Sequence, residues 1–314
     1  MTAKLLDGEV LAAKIREELR AEIKNLISVG KLPHLTAIQV GENPASRVYI
    51  NQQRKSCEEM NIEYELRELS ANITKEELVD LVHSLNEDSR VTGIILEMPL
   101  PSHLNAREIQ TQISPDKDVE GVHPFNMGRL VYATHFIGPC TALGAVELLK
   151  SAGIPLKGKE AVVVGHSEIV GKPLVLLLLQ SLTESPTVTV CHIATRDLAF
   201  HTRRADILIV AVGKPNLITA DMIKEGTMVV DIGINRIPVR DAQGNPVLDE
   251  RGKPKMKTVG DVEFDRAKEK CSYITPVPGG VGPMTVAMLL RNLVECAKLS
   301  GIKEGGRSNA RHQI

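Results

Sequence analysis

Short runs of aliphatic and β-branched residues at 35–40, 62–69, 92–96, 161–164, 188–191, 207–212 and 228–232 recur along the chain, most of them separated by segments of helical length. This alternation constrains the fold more than any other feature. Strands joined through helices pair in parallel by right-handed crossovers, so the chain reads as α/β. Ligands collect beyond the carboxyl ends of such strands. The loops after Val40 and Leu96 are therefore candidate sites in the first block, as are the turns after Val164, Val212 and Ile232 in the second.

The intervening segments carry helix signals. Asp7 caps a helix whose apolar positions are Leu11, Ile15, Leu19, Ile23 and Leu26, and Thr74 with Glu77 forms a capping box ahead of Leu78, Leu81, Val82 and Leu85. Helical patterns are also predicted at 46–60, through Leu143, Val146, Leu148 and Leu149, from about Val170, and from Val286. Residues 236–258 are polar and rich in turn residues, which predicts an exposed hairpin. No internal sequence repeat is evident.

A length of 314 residues suits two domains of roughly 100–200 residues each. The net charge of −1, with no basic stripe, argues against a nucleic-acid surface and for small-molecule chemistry. The run from Leu174 to Leu179 is far shorter than the roughly 20 residues a membrane helix needs, and the N-terminus lacks an apolar signal core. Five scattered cysteines fit a reducing, cytoplasmic setting, and neither they nor the histidines show metal-ligand spacing.

Two glycine-rich segments carry the chemistry. Residues 162–173 read as a buried strand, a turn at Gly165-His166-Ser167 and a helix start, which aims backbone N–H groups and a helix N-terminus at an anion such as a pyrophosphate. Residues 274–285 hold three prolines and three glycines, a shaped loop whose bare main chain suits contact with a planar ligand.

In chain order, residues 93–101, 115–121, 139–141, 165–173, 231–235, 259–262 and 275–285 resemble the methylenetetrahydrofolate dehydrogenase/cyclohydrolase (FolD) family, and the likeness spans about residues 3–300. The resemblance implies two α/β domains around a cleft. Residues 1–150 would form a βαβ folate-binding domain onto which a helix at about 284–300 packs back; residues 151–283 would form a Rossmann-like dinucleotide-binding domain, and 301–314 a disordered tail. It also implies a cytoplasmic homodimer. Its reaction would be oxidation of 5,10-methylenetetrahydrofolate by NAD(P), followed in most members by hydrolysis of the methenyl product.

Carried over residue by residue, the resemblance makes Tyr49, Gln53 and Glu97 catalytic candidates. Tyr49, Glu120, Pro276, Gly279 and Gly280 would bind substrate, and Gly165, His166, Ser167, Ile193 and Ile234 the cofactor. Asp118 is expected either to touch folate or to brace its own loop. Three positions depart from the family pattern. Gln53 stands where the family has lysine, Glu97 where it has glutamine, and Glu120 where it has aspartate. Lys55 lies two residues on, rotated roughly 200° around the helix, and is a poor substitute. The family's Lys, Gln and Asp sum to zero charge, whereas Gln53, Glu97 and Glu120 sum to −2.

These changes predict a dehydrogenase whose cyclohydrolase activity is doubtful. The alternatives are a full bifunctional enzyme, with Glu97 handling the proton, and a non-catalytic folate- or nucleotide-binding paralogue. NADP is the family default. His166 and Ile193, where NADP-using relatives often carry arginine and serine, favour NAD.

Overall fold

Buried branched residues dominate the strands. In the segment His34–Val40 every residue after His34 is buried, and all of Gly93–Leu96 and Ile207–Val210 is buried as well. Strands closed off from water on both faces suit a parallel sheet covered by helices. The structure, a computed structural model, describes residues 2–241 and 243–300. The disordered tail expected at 301–314 lies outside the described residues.

The chain divides into two compact units. Of the described residues, the first unit takes those through Lys14, Leu130–Thr134 and Pro139–Met288, and the second takes Ile15–Arg129, His135–Gly138 and those from Leu289 onward. The expected boundary at residue 150 does not coincide with this division. Lys4–Leu5 pairs in parallel with Tyr273–Ile274, which holds the N-terminus in the first unit. The helix Cys140–Ser151 belongs there too, with Gly144 against Met284 so closely that an added Cβ would lie 2.8 Å from the methionine Cβ.

The first unit is built on a six-stranded sheet. Its order is Lys4–Leu5, Tyr273–Ile274, Met228–Asp231, Ile207–Val210, Glu160–Val164 and Thr187–Cys191, parallel throughout. After Glu160–Val164 the chain first adds a strand on one side and then returns to the other. That reversal makes the end of Glu160–Val164 a switch point, where open α/β sheets bind ligands. The second unit has a three-stranded parallel sheet with His34–Val40 between Glu63–Leu69 and Gly93–Leu96. Its own switch point is the end of His34–Val40. Leu78, Val82 and Leu85 of the helix Lys75–Glu87 pack with Ile38, Ile94 and Leu96 to form its core.

Both helix-start signals are realised. Asp7 Oδ1 accepts N–H bonds from Glu9 (2.9 Å) and Val10 (3.1 Å), and the capping box of Thr74 and Glu77 is closed in both directions.

Several local expectations change. The apolar C-terminal helix starts at Val281 rather than Val286, because Gly282 and Pro283 fall in its first turn, where a missing N–H costs no helical bond. The strand expected to reach Val212 stops at Val210, since the N–H groups of Val212 and Gly213 turn aside to Asp261. The predicted hairpin forms as Asn235–Pro238 paired antiparallel with Met256–Val259. Between those strands lies a repeat that the sequence reading passed over. Asp241 and Asp249 each begin an Asp-x-x-Gly-x-Pro loop, and each carboxylate accepts two backbone N–H bonds at 2.9 Å. Among the described residues, no helix is long and apolar enough to cross a membrane.

Candidate functional site

In the second unit the helix Pro44–Glu59 lays Gln53 against the end of the strand Gly93–Leu96, where Glu97 follows directly. Glu97 N donates to Ile38 O at 2.9 Å, which fixes the loop on the sheet's switch point. Gln53 and Glu97 are 5% and 7% exposed, and their side chains hydrogen-bond each other. One oxygen of each, Gln53 Oε1 and Glu97 Oε1, has no partner, and neither does the buried hydroxyl of Tyr64. Tyr49, one turn before Gln53, is 46% exposed and free to stack on a ligand.

Glu120 couples to Glu97 from a loop that Asp118 braces. Asp118 accepts N–H bonds from Gly121 (3.1 Å) and His123 (2.8 Å) and from Asn126 Nδ2 (2.9 Å). Of the two roles expected for Asp118, its bonds show the bracing one. Gly121 sits at φ 69° with the Gly138 backbone so near that an added Cβ would lie 2.2 Å from the carbonyl carbon. Asn292 Nδ2 ties the same segments together, donating to Val119 O and Gly138 O at 2.8 Å each. Sequence reasoning missed Asn292, although a lone asparagine within an apolar helical run was the available signal.

Electrostatics make this group unusual. Burial pushes Glu97 up to about 7, although the bond from Gln53 opposes it. Burial, then the charges of Asp118 and Glu97, push Glu120 up to about 8. Tyr64 is raised as well, by burial and then by Glu97. Carboxyl groups this close cannot all ionise cheaply in a poorly solvated site.

The first unit places most of the predicted cofactor residues on its own switch point. A cavity of about 500 Å³ is lined by Gly165, His166, Ser167, Lys172, His192 and Ile193, together with Ala211 and Val212. Gly165 has φ 115°, and a Cβ there would meet Ala211 O at 2.1 Å. Ser167 Oγ accepts the N–H groups of Val170 (3.2 Å) and Gly171 (3.4 Å) and shapes the helix entry. The rings of His166 and His192 meet edge to face, 5.0 Å between centroids. Ile234 is 54% exposed and is not part of this cavity's wall.

Two buried aspartates join the turns. Asp261 accepts N–H bonds from Val212 (2.7 Å), Gly213 (2.9 Å) and Asn235 Nδ2 (2.8 Å). Asp231 accepts those of Gly233, Asp261 and Val262. Pro276, Gly279 and Gly280 shape the loop ahead of the C-terminal helix, where Gly279 O receives the N–H of Gly8 at 2.9 Å.

Residues 6–120 match the catalytic domain of tetrahydrofolate dehydrogenase/cyclohydrolase, and residues 139–301 match the NAD(P)-binding domain of the same family. The chain belongs to the tetrahydrofolate dehydrogenase/cyclohydrolase family. A relative named bifunctional protein FolD, from Nautilia profundicola, is 47% identical over 94% of this chain and 97% of its own length. The bifunctional FolD structure from Campylobacter jejuni superposes with a TM-score of 0.85 at 47% identity, covering 94% of this chain and 99% of that one. The FolD structure from Trypanosoma brucei, complexed with NADP and an inhibitor, gives 0.85 at 37% identity, covering 96% and 99%. The Rossmann-like first unit fits the dinucleotide half of such a protein, because its Gly165 turn lines a cavity at the sheet's switch point and packs so closely on Ala211 O that it has no room for a Cβ.

Gly165→Ala tests that turn. A side chain at φ 115° pressed onto Ala211 O forces the turn open. Dinucleotide affinity, measured by fluorescence titration, is expected to fall at least about tenfold, roughly 1.4 kcal/mol. Unchanged affinity would remove the turn from the site.

Proposed function

We propose that this family member oxidises 5,10-methylenetetrahydrofolate to the 5,10-methenyl cation with NAD(P), and hydrolyses that product slowly. The nicotinamide cofactor supplies a hydride acceptor. The first 150 residues contribute the folate site through Tyr49, Gln53, Glu97 and Glu120. The dinucleotide is held by residues within 151–283, from Gly165, His166 and Ser167 to Ile193, with Ile234 and the Pro276–Gly279–Gly280 loop beside the nicotinamide end. His166 and Ile193 favour NAD over NADP. The protein acts as a cytoplasmic homodimer.

The observation that carries this reading is the buried pairing of Gln53 with Glu97. A cation forming beside Glu97 and Glu120 favours their ionised forms, so the group stabilises the transition state of hydride loss. Hydrolysis has a different need. A water must lose a proton as it attacks and the departing nitrogen must gain one, and an amide at position 53 carries no exchangeable charge. Losing a positioned acid/base group costs a factor of about 10²–10⁴.

A second reading rests on Glu97 itself. A carboxyl group near 7 with one unpartnered oxygen is equipped to take and return a proton, which would make the protein fully bifunctional. A paired assay separates the two. Methylene-dependent reduction of NAD and NADP is measured beside hydrolysis of supplied methenyl substrate. Strong reduction with slow hydrolysis supports the proposal, and hydrolysis matching reduction supports the bifunctional reading. Binding of folate or cofactor with neither activity would identify a non-catalytic paralogue.

A further inference from the structure

Beneath another face of the helix Pro44–Glu59 lies a second cavity of about 160 Å³, some five times the roughly 30 Å³ a liquid water occupies. Its polar lining comes from Gln39, Arg47, Asn51, Arg54 and Glu68, and Ile50 and Leu66 form an apolar wall. Arg47, Asn51 and Arg54 follow one another at helical spacing and so share a face.

Gln39 is the telling residue. It is 3% exposed, on the central strand His34–Val40, yet both Oε1 and Nε2 lack any hydrogen-bond partner. An unpaired amide so deeply buried loses its hydration with nothing in return. Both arginines are solvent-exposed, and protein acceptors engage them only loosely. Arg47 Nη2 lies 3.8 Å from Glu42 and 3.7 Å from Glu68, beyond hydrogen-bond reach. Arg54 faces the Tyr64 ring, 5.6 Å from its centroid, and pairs with no carboxylate among the described residues.

We propose that this cavity binds a small oxyanion that also carries a hydrogen-bond donor. Charge of the lining sets the sign. In the wall itself the guanidinium groups of Arg47 and Arg54 outnumber the single carboxylate of Glu68, while Glu42, 3.8 Å from Arg47, lies outside the lining. Guanidinium forks match carboxylate and phosphate oxygens in geometry. Gln39 refines the choice, because Nε2 donates to an anionic oxygen while Oε1 needs an O–H or N–H in return. Dihydrogenphosphate, a monoanion, meets both demands through its O–H groups. A carboxylate one atom removed from an amide N–H meets them equally well.

Isothermal titration with inorganic phosphate and with N-acetylglycine distinguishes these two sources, and acetate at matched ionic strength serves as the anion without a donor. At least one of the first two is expected to bind at least about tenfold more tightly than acetate. Arg47→Gln/Arg54→Gln should abolish that binding. Gln39→Leu should erase the preference over acetate while raising the melting temperature of the ligand-free protein, since it removes the unpaired amide. Three results would overturn the proposal: no preference over acetate in the wild-type chain, binding that persists in the double variant, as phosphate held at the Gly165 turn would, or a donor preference that survives Gln39→Leu.

Discussion

Gln53→Lys is expected to raise the rate of methenyltetrahydrofolate hydrolysis by about 10²-fold or more. The new side chain would enter a site that is 5% exposed and already bonded to Glu97. An ammonium group there pairs with the Glu97 carboxylate and draws its pKa down by roughly 1–3 units. It also brings a group able to exchange a proton with the attacking water, which the glutamine amide lacks. Loss of methenyl absorbance in a stopped-flow assay measures the change directly. A variant that folds, still reduces cofactor and hydrolyses no faster than wild type would show that position 53 does not limit the water step. The proton would then be handled by Glu97 itself.

Glu97→Gln is expected to make the protein more stable at pH 8 and to flatten the pH dependence of its stability. The folded pKa of about 7 lies above the ordinary 4.5, so between these values the native state holds a proton that the unfolded chain has released. Stability from this group is fully present below about pH 4.5 and is lost as pH rises toward 7. The shift corresponds to about 3 kcal/mol at most, at 1.36 kcal/mol per unit. The variant should therefore gain up to about 3 kcal/mol over wild type at pH 8 and little at pH 4.5 in urea denaturation. Part of the slope should remain, because burial, the largest cause of the rise in Glu120 to about 8, and the charge of Asp118 persist when that of Glu97 is removed. Parallel stability curves for the two proteins would mean that Glu97 is well solvated, and would remove the electrostatic basis of the proposed site.

Much of the fold was legible because it is local. Leu78, Val82 and Leu85 recur at helical spacing, Thr74 and Glu77 close the cap three residues apart, and the strands announce themselves as short buried runs. Short elements were not legible. Lys4–Leu5 and Tyr273–Ile274 are two residues each, and they become strands only because each finds a partner far along the chain. Asp231 and Asp261 carried no visible role in sequence. Their function, bracing three separate turns, depends on backbone N–H groups that the fold gathers around them.

The sequence alone determined the α/β class and the glycine turn at Gly165, and it singled out Gln53, Glu97 and Glu120 as candidate site residues, since each is a matter of periodicity or of residue type within a local motif. It could count the charge of those three residues, but not what that charge becomes. Tertiary structure decided that Gln53 and Glu97 share a hydrogen bond, that Asp118 is engaged in its loop, and that burial moves Glu97 and Glu120 toward neutral pH. It also left Gln39 buried without a partner beside Arg47 and Arg54. The physical reason is common to all of these. Ionisation and hydrogen bonding depend on distance and solvation, and those are set by residues brought together from separate parts of the chain.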